Sequence, residues 1–421
     1  GGLGEGGELD LTSSTLELTG PFYNYKGKGT LTTSASTLSL KSNVKFEPGN
    51  DVTFSTYEPN GWGMVLHNDM DNNNATTHLT LGTNGVDLLL QPNTEALTSG
   101  FVNYYSSENN ENLPPVAVFD NNSYGIGIES HKVKLTINGN LKLKDNATIL
   151  GYREDISLGN LTLESGNISL YEGTLSLAGG SVGANGGIRA GWQATLNLGG
   201  NLAVAGTLDL NDGASVNFAN NLIDASGGRL ELAGSHVLDG ITTNASTTLQ
   251  INSSGSISRT GSGTNTVGDL LLVPAEGSSS ASLDVSDMSL TVGGTGQFND
   301  ADITLNSANL NFQNSPTFDN GSTLSVKNSG ELILQSGATI NDSSLDFTSS
   351  TFKPSGAVSL TGSSHFTFDS GSSVMLEGDS TLSQSGSVTW PSPDLNGNAL
   401  TLNVDNMTLN GAQSIGTGES I

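Results

Sequence analysis

The chain contains no cysteine in 421 residues. That removes disulfides, thiolate nucleophiles and cysteine-based metal centres in any compartment. A protein that crosses a membrane unfolded also benefits from having nothing to crosslink prematurely. Basic residues are scarce, with 14 Lys and Arg against 41 Asp and Glu and a formal net charge of −27. This balance argues against nucleic acid, whose phosphates need Lys and Arg, and against adhesion to anionic lipid through a basic patch. The acids are scattered rather than in runs, which reads as a solvated exterior, with calcium binding as the alternative. No stretch approaches the ~20 apolar residues of a membrane-spanning helix. No signal peptide remains, and the first residue is Gly1 rather than Met, as expected of a processed or excised segment. Helix signals are nearly absent, since no window holds a 3.6-residue apolar stripe between credible caps.

What is present is regularity. Fifty-five Gly, abundant Ser, Thr and Asn, and 34% apolar residues are too lean for a thick globular core. Yet Leu, Ile, Val and Phe recur too evenly for a disordered chain. Between Ile156 and Ile251 three apolar series interleave, each stepping by 19 to 22 residues. They are Ile156, Leu175, Leu196, Val216, Val237; then Leu163, Val182, Leu202, Leu222, Ile241; then Ile168, Ile188, Leu208, Leu230, Leu249. After a softer stretch the period resumes through Leu283, Ile303, Leu324, Leu345, Phe366, Val388 and through Leu290, Leu310, Leu332, Phe352, Val374. Three strands per turn and about 20 residues per turn is the arithmetic of an all-β, triangular parallel β-helix. In "GTLDLNDGASVNF" the alternation assigns Leu208, Leu210, Val216 and Phe218 to the core, with Asn211 to Gly213 as a corner and Asp209 as an outward acid. Such coils cannot fold singly, so stability must come from packing and hydrogen bonds to neighbouring coils. Roughly eighteen coils at ~4.8 Å each are expected, giving a rod.

Two regions are distinguished. Residues 1–130 keep the strand words ("LDL", "LEL", "VKF") but break the spacing, and read as irregular coils with aromatic-rich loops and a cap. Residues 131–421 read as the regular helix, with a softer loop near 259–282 and an uncapped C-terminal end, as expected of a fragment whose last coil invites stacking. Two polar insertions stand out, "HNDMDNNNATTH" from His67 and the segment from Gln91 to Pro115. Trp62, Phe101, Tyr104 and Tyr105 are the candidate binding aromatics of this N-terminal third, set against a packing role at the end or flank of the helix. Asp69 and Asp71 are the candidate calcium ligands, because oxygen donors alternate in a polar loop.

The stretches "GWGMVL" with "LTLGTNGVDLLL", "YGIGIESHKVKLTINGNLKLKDN", "GGIRAGWQATLNLGGNLAVAGTLDL", "GELILQSGATI" and "GSSVMLEGDSTL" resemble coils of autotransporter passenger domains, the surface-exposed β-helices of Gram-negative bacteria. The resemblance covers residues 60–421 and rests on degenerate words that other β-helices share. It implies a right-handed helix, export through an outer-membrane barrel, a location at the bacterial cell surface or outside the cell, and adhesion, aggregation or toxin activity. No C-terminal barrel follows in this chain, so the membrane would be met only through a barrel that is missing here. No G-D-S-G protease word occurs.

Other β-helices degrade polysaccharides, chemistry that needs two carboxylates at a set separation. Asp300 and Asp302 in "NDADITL" read as one strand face, and Glu154 and Asp155 as opposite faces, but 41 acids make such pairs ordinary. Only four arginines exist (Arg153, Arg189, Arg229, Arg259), and none stands in an Arg-x-Lys word. His236 and His365 read as outward or turn positions, and no histidine pattern marks a metal or nucleophilic site. The expectation is therefore a non-enzymatic surface passenger with no catalytic residue and no obligatory cofactor, calcium aside, acting as adhesin or stalk. Its partners would be a surface protein or glycan of a host cell or bacterium, or copies of itself. The alternatives are a carbohydrate-active β-helix enzyme, a polysaccharide lyase or glycoside hydrolase, and third a self-assembling rod.

Overall fold

The computed structural model describes residues 2–3, 7–19, 22–24, 29–41, 44–47, 52–58, 64–66, 77–82, 88–90, 125–128, 133–144, 147–211, 213–260, 264–272, 274 and 280–411. Among these it is all-β without a helix, a parallel β-solenoid of about 14 turns. The chain divides into two compact units, Gly1–Ile223 and Asp224–Ile421.

In the first unit, strands stack one full coil apart. Leu9 faces Leu31, Leu16 faces Leu38, and Val44 faces Met64 in parallel register. The step then lengthens sharply: Met64 pairs with Ile126, Leu79 with Leu135 and Leu88 with Leu141. The parallel pairing thus continues through the described strands of the irregular N-terminal third, with a longer sequence separation between partners. The solenoid has about 14 turns rather than the roughly eighteen a uniform 20-residue period predicts, because the chain between paired strands is longer than one period here. Beyond it, extended chain over Thr148–Ala190 rounds several corners and pairs on both sides. The strand Thr207–Leu210 then lies beside Gly187–Ala190, with Ile188 against Leu208 and Ala190 against Leu210, all buried.

The second unit is more uniform. Leu283, Ile303, Leu324, Leu345 and Phe366 are aligned in register on one face, and Leu290, Leu310, Leu332, Phe352 and Val374 on another. The predicted series are therefore ladders here up to Phe366, which is half-buried, and Val374, while Val388 is in register with Met407. Strands Thr264–Val267 and Asp269–Leu272 fall within the stretch expected to be soft. Rings fill the interior: Phe298 stacks on Phe318 at 4.7 Å, with Phe312 meeting Phe298 edge-on at 5.7 Å. Phe347 stacks on Phe368 at 4.8 Å, and Phe352 lies between Phe347, Phe366 and Trp390. Stacked and edge-on pairs at these separations add to the area they bury.

Corners are built from two devices. Small hydroxyls turned inward tie a corner to the preceding coil: Ser36 Oγ donates to the Leu11 carbonyl, Thr247 Oγ1 to Ala225, Ser350 Oγ to Val326 and Ser364 Oγ to Ile340, at 2.8 to 3.0 Å. All four residues are buried, so these bonds satisfy carbonyls that water does not reach. Left-handed residues recur at matching positions, as in Asp287 (φ 55°), Ser307 (51°), Asn328 (55°) and Ser349 (49°). Two glycines are demanded by close approach: a Cβ on Gly159 would collide with the Gly139 carbonyl, and one on Gly337 with that of Ala357.

Four predicted core positions are displaced. Leu222 is 48% exposed, and the adjacent Ile223 is buried in its place. Val237 is 49% exposed, and His236 is buried instead, aligned with Ile257. The cause in this second case is a register shift between Leu232 and Gly234, which inverts the alternation beyond it. His236 is thus not outward. Its Nε2 lies 2.8 Å from the Ala233 carbonyl. Val216 and Phe218 are half-buried, whereas Ala214 is buried.

Candidate functional site

Trp62, Phe101, Tyr104, Tyr105, Asp69 and Asp71 all lie outside the described residues. Among the described residues, no three His, Asp or Glu side chains converge as a metal site.

Many of the described acids are corner fasteners. Asp239 carboxylate oxygens accept from the Thr260 amide at 3.1 and 3.2 Å and from its hydroxyl. Asp342 Oδ1 accepts from the Ser363 amide at 2.9 Å and its hydroxyl at 3.0 Å. Asp369 Oδ1 accepts from the amides of Ser349 and Gly371 and from the Ser372 hydroxyl at 2.6 Å. Asp269 and Asp379 do the same for Thr295 and Ala399. Hydrogen bonds to the charged form hold carboxyls below the usual range. The Thr260 hydroxyl does this chiefly for Asp239, the Ser363 amide for Asp342, the Ser372 hydroxyl for Asp369 and the Ser226 hydroxyl for Asp224.

Asp300 and Asp302 do not share a strand face. Asp300 is a left-handed corner residue (φ 52°), and the strand Ala301–Asn306 begins after it. The Asp302 carboxylate accepts from the Thr323 hydroxyl at 2.5 Å. Asp155 lies 3.7 Å from Lys134 Nζ. Arg229 and Arg259 are bound to Glu231 and Asp239. His365 is exposed, as expected.

One corner of the first unit differs in kind. Gly191, Trp192, Gln193 and Ala194 form a tight turn closed by the Ala194 amide to the Gly191 carbonyl at 3.1 Å. Gln193 takes a left-handed φ of 58°, the conformation that Gly213 (76°) supplies in the matching turn of the following coil. Trp192 is 47% exposed and Tyr171, on the preceding coil, 40%. Gly191 lets the two coils approach, since a Cβ there would sit 2.8 Å from Tyr171 Cα. On the strand that enters the turn, Arg189 is in register with Asp209, its Nε 3.2 Å from Asp209 Oδ2. Asn211 lies beside the pair, and with its side-chain amide turned so that the oxygen faces the guanidinium, that oxygen accepts from Arg189 Nε and Nη2 at 2.9 and 3.0 Å while the nitrogen faces Asp209 Oδ1 at 3.3 Å. Asp209 is therefore paired with Arg189 across the coils, not merely an outward acid.

The sequence carried a signal for this corner. Ile188 follows Ile168 by 20 residues, but Ala194 is in register with Gly173, a step of 21. The extra residue falls between Arg189 and Gln193, where Trp192 stands.

Comparison with models of protein families, with curated proteins and with solved structures found no match.

Proposed function

We propose that this chain is the extracellular passenger of a bacterial surface protein of the autotransporter type, acting in adhesion or aggregation or as a stalk. One observation supports the reading above others: a parallel solenoid, free of cysteine, in which each coil is completed by its neighbours. Such a chain can pass a narrow barrel extended and then fold coil upon coil without oxidation, because each new coil templates on the last. Its net charge of −27 suits a surface that stays solvated. No catalytic residue is assigned, and the partners proposed are surface proteins or glycans and, at high density, other copies.

The test is display. The chain is placed between a secretory signal and an autotransporter barrel in a Gram-negative host, and surface exposure is read by antibody labelling of intact cells and by loss of the chain to external protease. Cell settling and binding to epithelial monolayers are read in parallel. Surface-exposed folded chain with settling or binding is the expected outcome. Retention in the periplasm while a known passenger is displayed by the same barrel would overturn the export reading, and display without settling or binding would leave only the stalk.

A further inference from the structure

We infer that the corner formed by Tyr171, Arg189, Trp192, Asp209 and Asn211 is a binding site for a neutral oligosaccharide. Among residues whose side chains are described, Tyr171 and Trp192 are the two exposed aromatics, in a protein whose other described rings are buried or half-buried. Their backbones are close: Tyr171 Cα lies within contact of Gly191, the residue before Trp192, so the two Cα atoms are within roughly 8 Å. A pyranose presents a face of C–H groups, which packs on a ring's negative π face, and a rim of hydroxyls lying near the plane of the sugar. That rim needs planar, pre-aimed donors and acceptors, and the guanidinium, carboxylate and amide of Arg189, Asp209 and Asn211 supply both.

The backbone of the corner is held before any ligand arrives. The amides of Gly191 and Asn211 donate to the carbonyls of Leu170 and Ala190 at 2.6 and 2.9 Å, so the corner is fastened to its neighbours on both sides. Little backbone ordering is then left for binding to oppose.

Charge and area select the ligand class. Arg189 is neutralised by Asp209, so the corner offers no free cation, and a net charge of −27 repels sulfated or uronic polymers. The two rings together expose roughly 200 Å² of face and edge, far below the ~800 Å² per partner of a standard protein interface. A few sugar units fit that scale.

This inference gives the surface reading above a ligand class and rests on it only for biological context. The experiment uses the purified chain and is separate from display. Cellohexaose, maltohexaose, chitohexaose and a heparin hexasaccharide are titrated in, with calorimetry and tryptophan emission as readouts. At least one neutral hexaose is expected to bind saturably and shift tryptophan emission. Trp192→Ala should weaken it at least about tenfold, as a central aromatic anchor does, while Trp192→Phe retains most of the affinity. Asn211→Ala should weaken it about threefold through lost hydrogen bonds. Thermal unfolding of each variant, unchanged from the parent, keeps a loss of binding from being a loss of fold. Failure of all three neutral hexaoses, equal binding by Trp192→Ala, or preference for the heparin fragment would each overturn the proposal. Display without sugar binding would remove the site and leave the export reading standing.

Discussion

Among the described residues both units bury rings, Phe54 in Gly1–Ile223 included, but only the first unit also exposes them. In Asp224–Ile421, Phe298, Phe312, Phe318, Phe347, Phe352 and Trp390 point inward and pack as stacked and edge-on pairs. In Gly1–Ile223, Tyr171 and Trp192 stand on a corner facing solvent. Hydropathy does not explain the difference, because Trp390 is as large and polar as Trp192. Register does. Phe352 falls on a predicted ladder position aligned with Leu332 and Val374, whereas Trp192 occupies the extra residue of a lengthened turn. In a solenoid, a ring in phase is core and a ring out of phase is surface.

The largest effect expected from testing this contrast is on stability. Phe352→Ala should cost ~3–5 kcal/mol, because a buried ring leaves a cavity among Phe347, Phe366 and Trp390. Trp192→Ala should stay within ~0.5 kcal/mol, as exposed substitutions do. Urea midpoints and slopes of both variants check this. Comparable losses would show that the corner ring is structural and would break the comparison.

Next in size is the inward hydroxyl device. Ser364 Oγ donates to the Ile340 carbonyl at 3.0 Å and accepts from the Ser343 amide at 3.2 Å. Ser364→Ala strands both groups in the interior and should cost ~1–3 kcal/mol. Ser256→Ala serves as the control: its hydroxyl bonds Ser235 on the outside at 2.8 Å, and the change should cost under ~0.5 kcal/mol.

The smallest effect is acid dependence. Asp239 and Asp369 titrate below the ordinary carboxylate value because Thr260 and Ser372 hydroxyls bond their charged forms. A folded-state value below the unfolded one means the native state binds fewer protons, so the contribution is complete above about pH 4 and is lost as pH falls through the folded value. Asp369→Asn should therefore melt below the parent at pH 7, with the gap closing below about pH 3. Comparing variant with parent cancels the changing repulsion among the other acids. A gap independent of pH would mean that the carboxylate charge is not what fastens the corner.

Much of the ladder arithmetic was legible in advance. The series from Leu283 to Phe366 and from Leu290 to Val374 are in register, because each coil has nearly equal length and the side-chain period of a strand is two. The failures have local causes. One bulge after Leu232 exchanged Val237 for His236, and no composition signal marks a bulge in a chain rich in Gly and Ser at every corner. The pairing of Asp209 with Arg189 was hidden because the two are 20 residues apart and meet only when one coil lies on the next. Trp192 was visible as a break in period but was read as part of a repeat. The candidate aromatics Trp62, Phe101, Tyr104 and Tyr105 and the aspartates Asp69 and Asp71 lie in the N-terminal third, outside the described residues.

The sequence by itself determined the class of fold, the coil length and the inward ladders, since these follow from alternation and spacing that any register of neighbours preserves. Tertiary structure alone decided which acids fasten corners, where the register slips, and which polar groups meet around Trp192. Those outcomes depend on contacts between residues about 20 apart, and a single inserted or bulged residue changes them without altering the composition or the period around it.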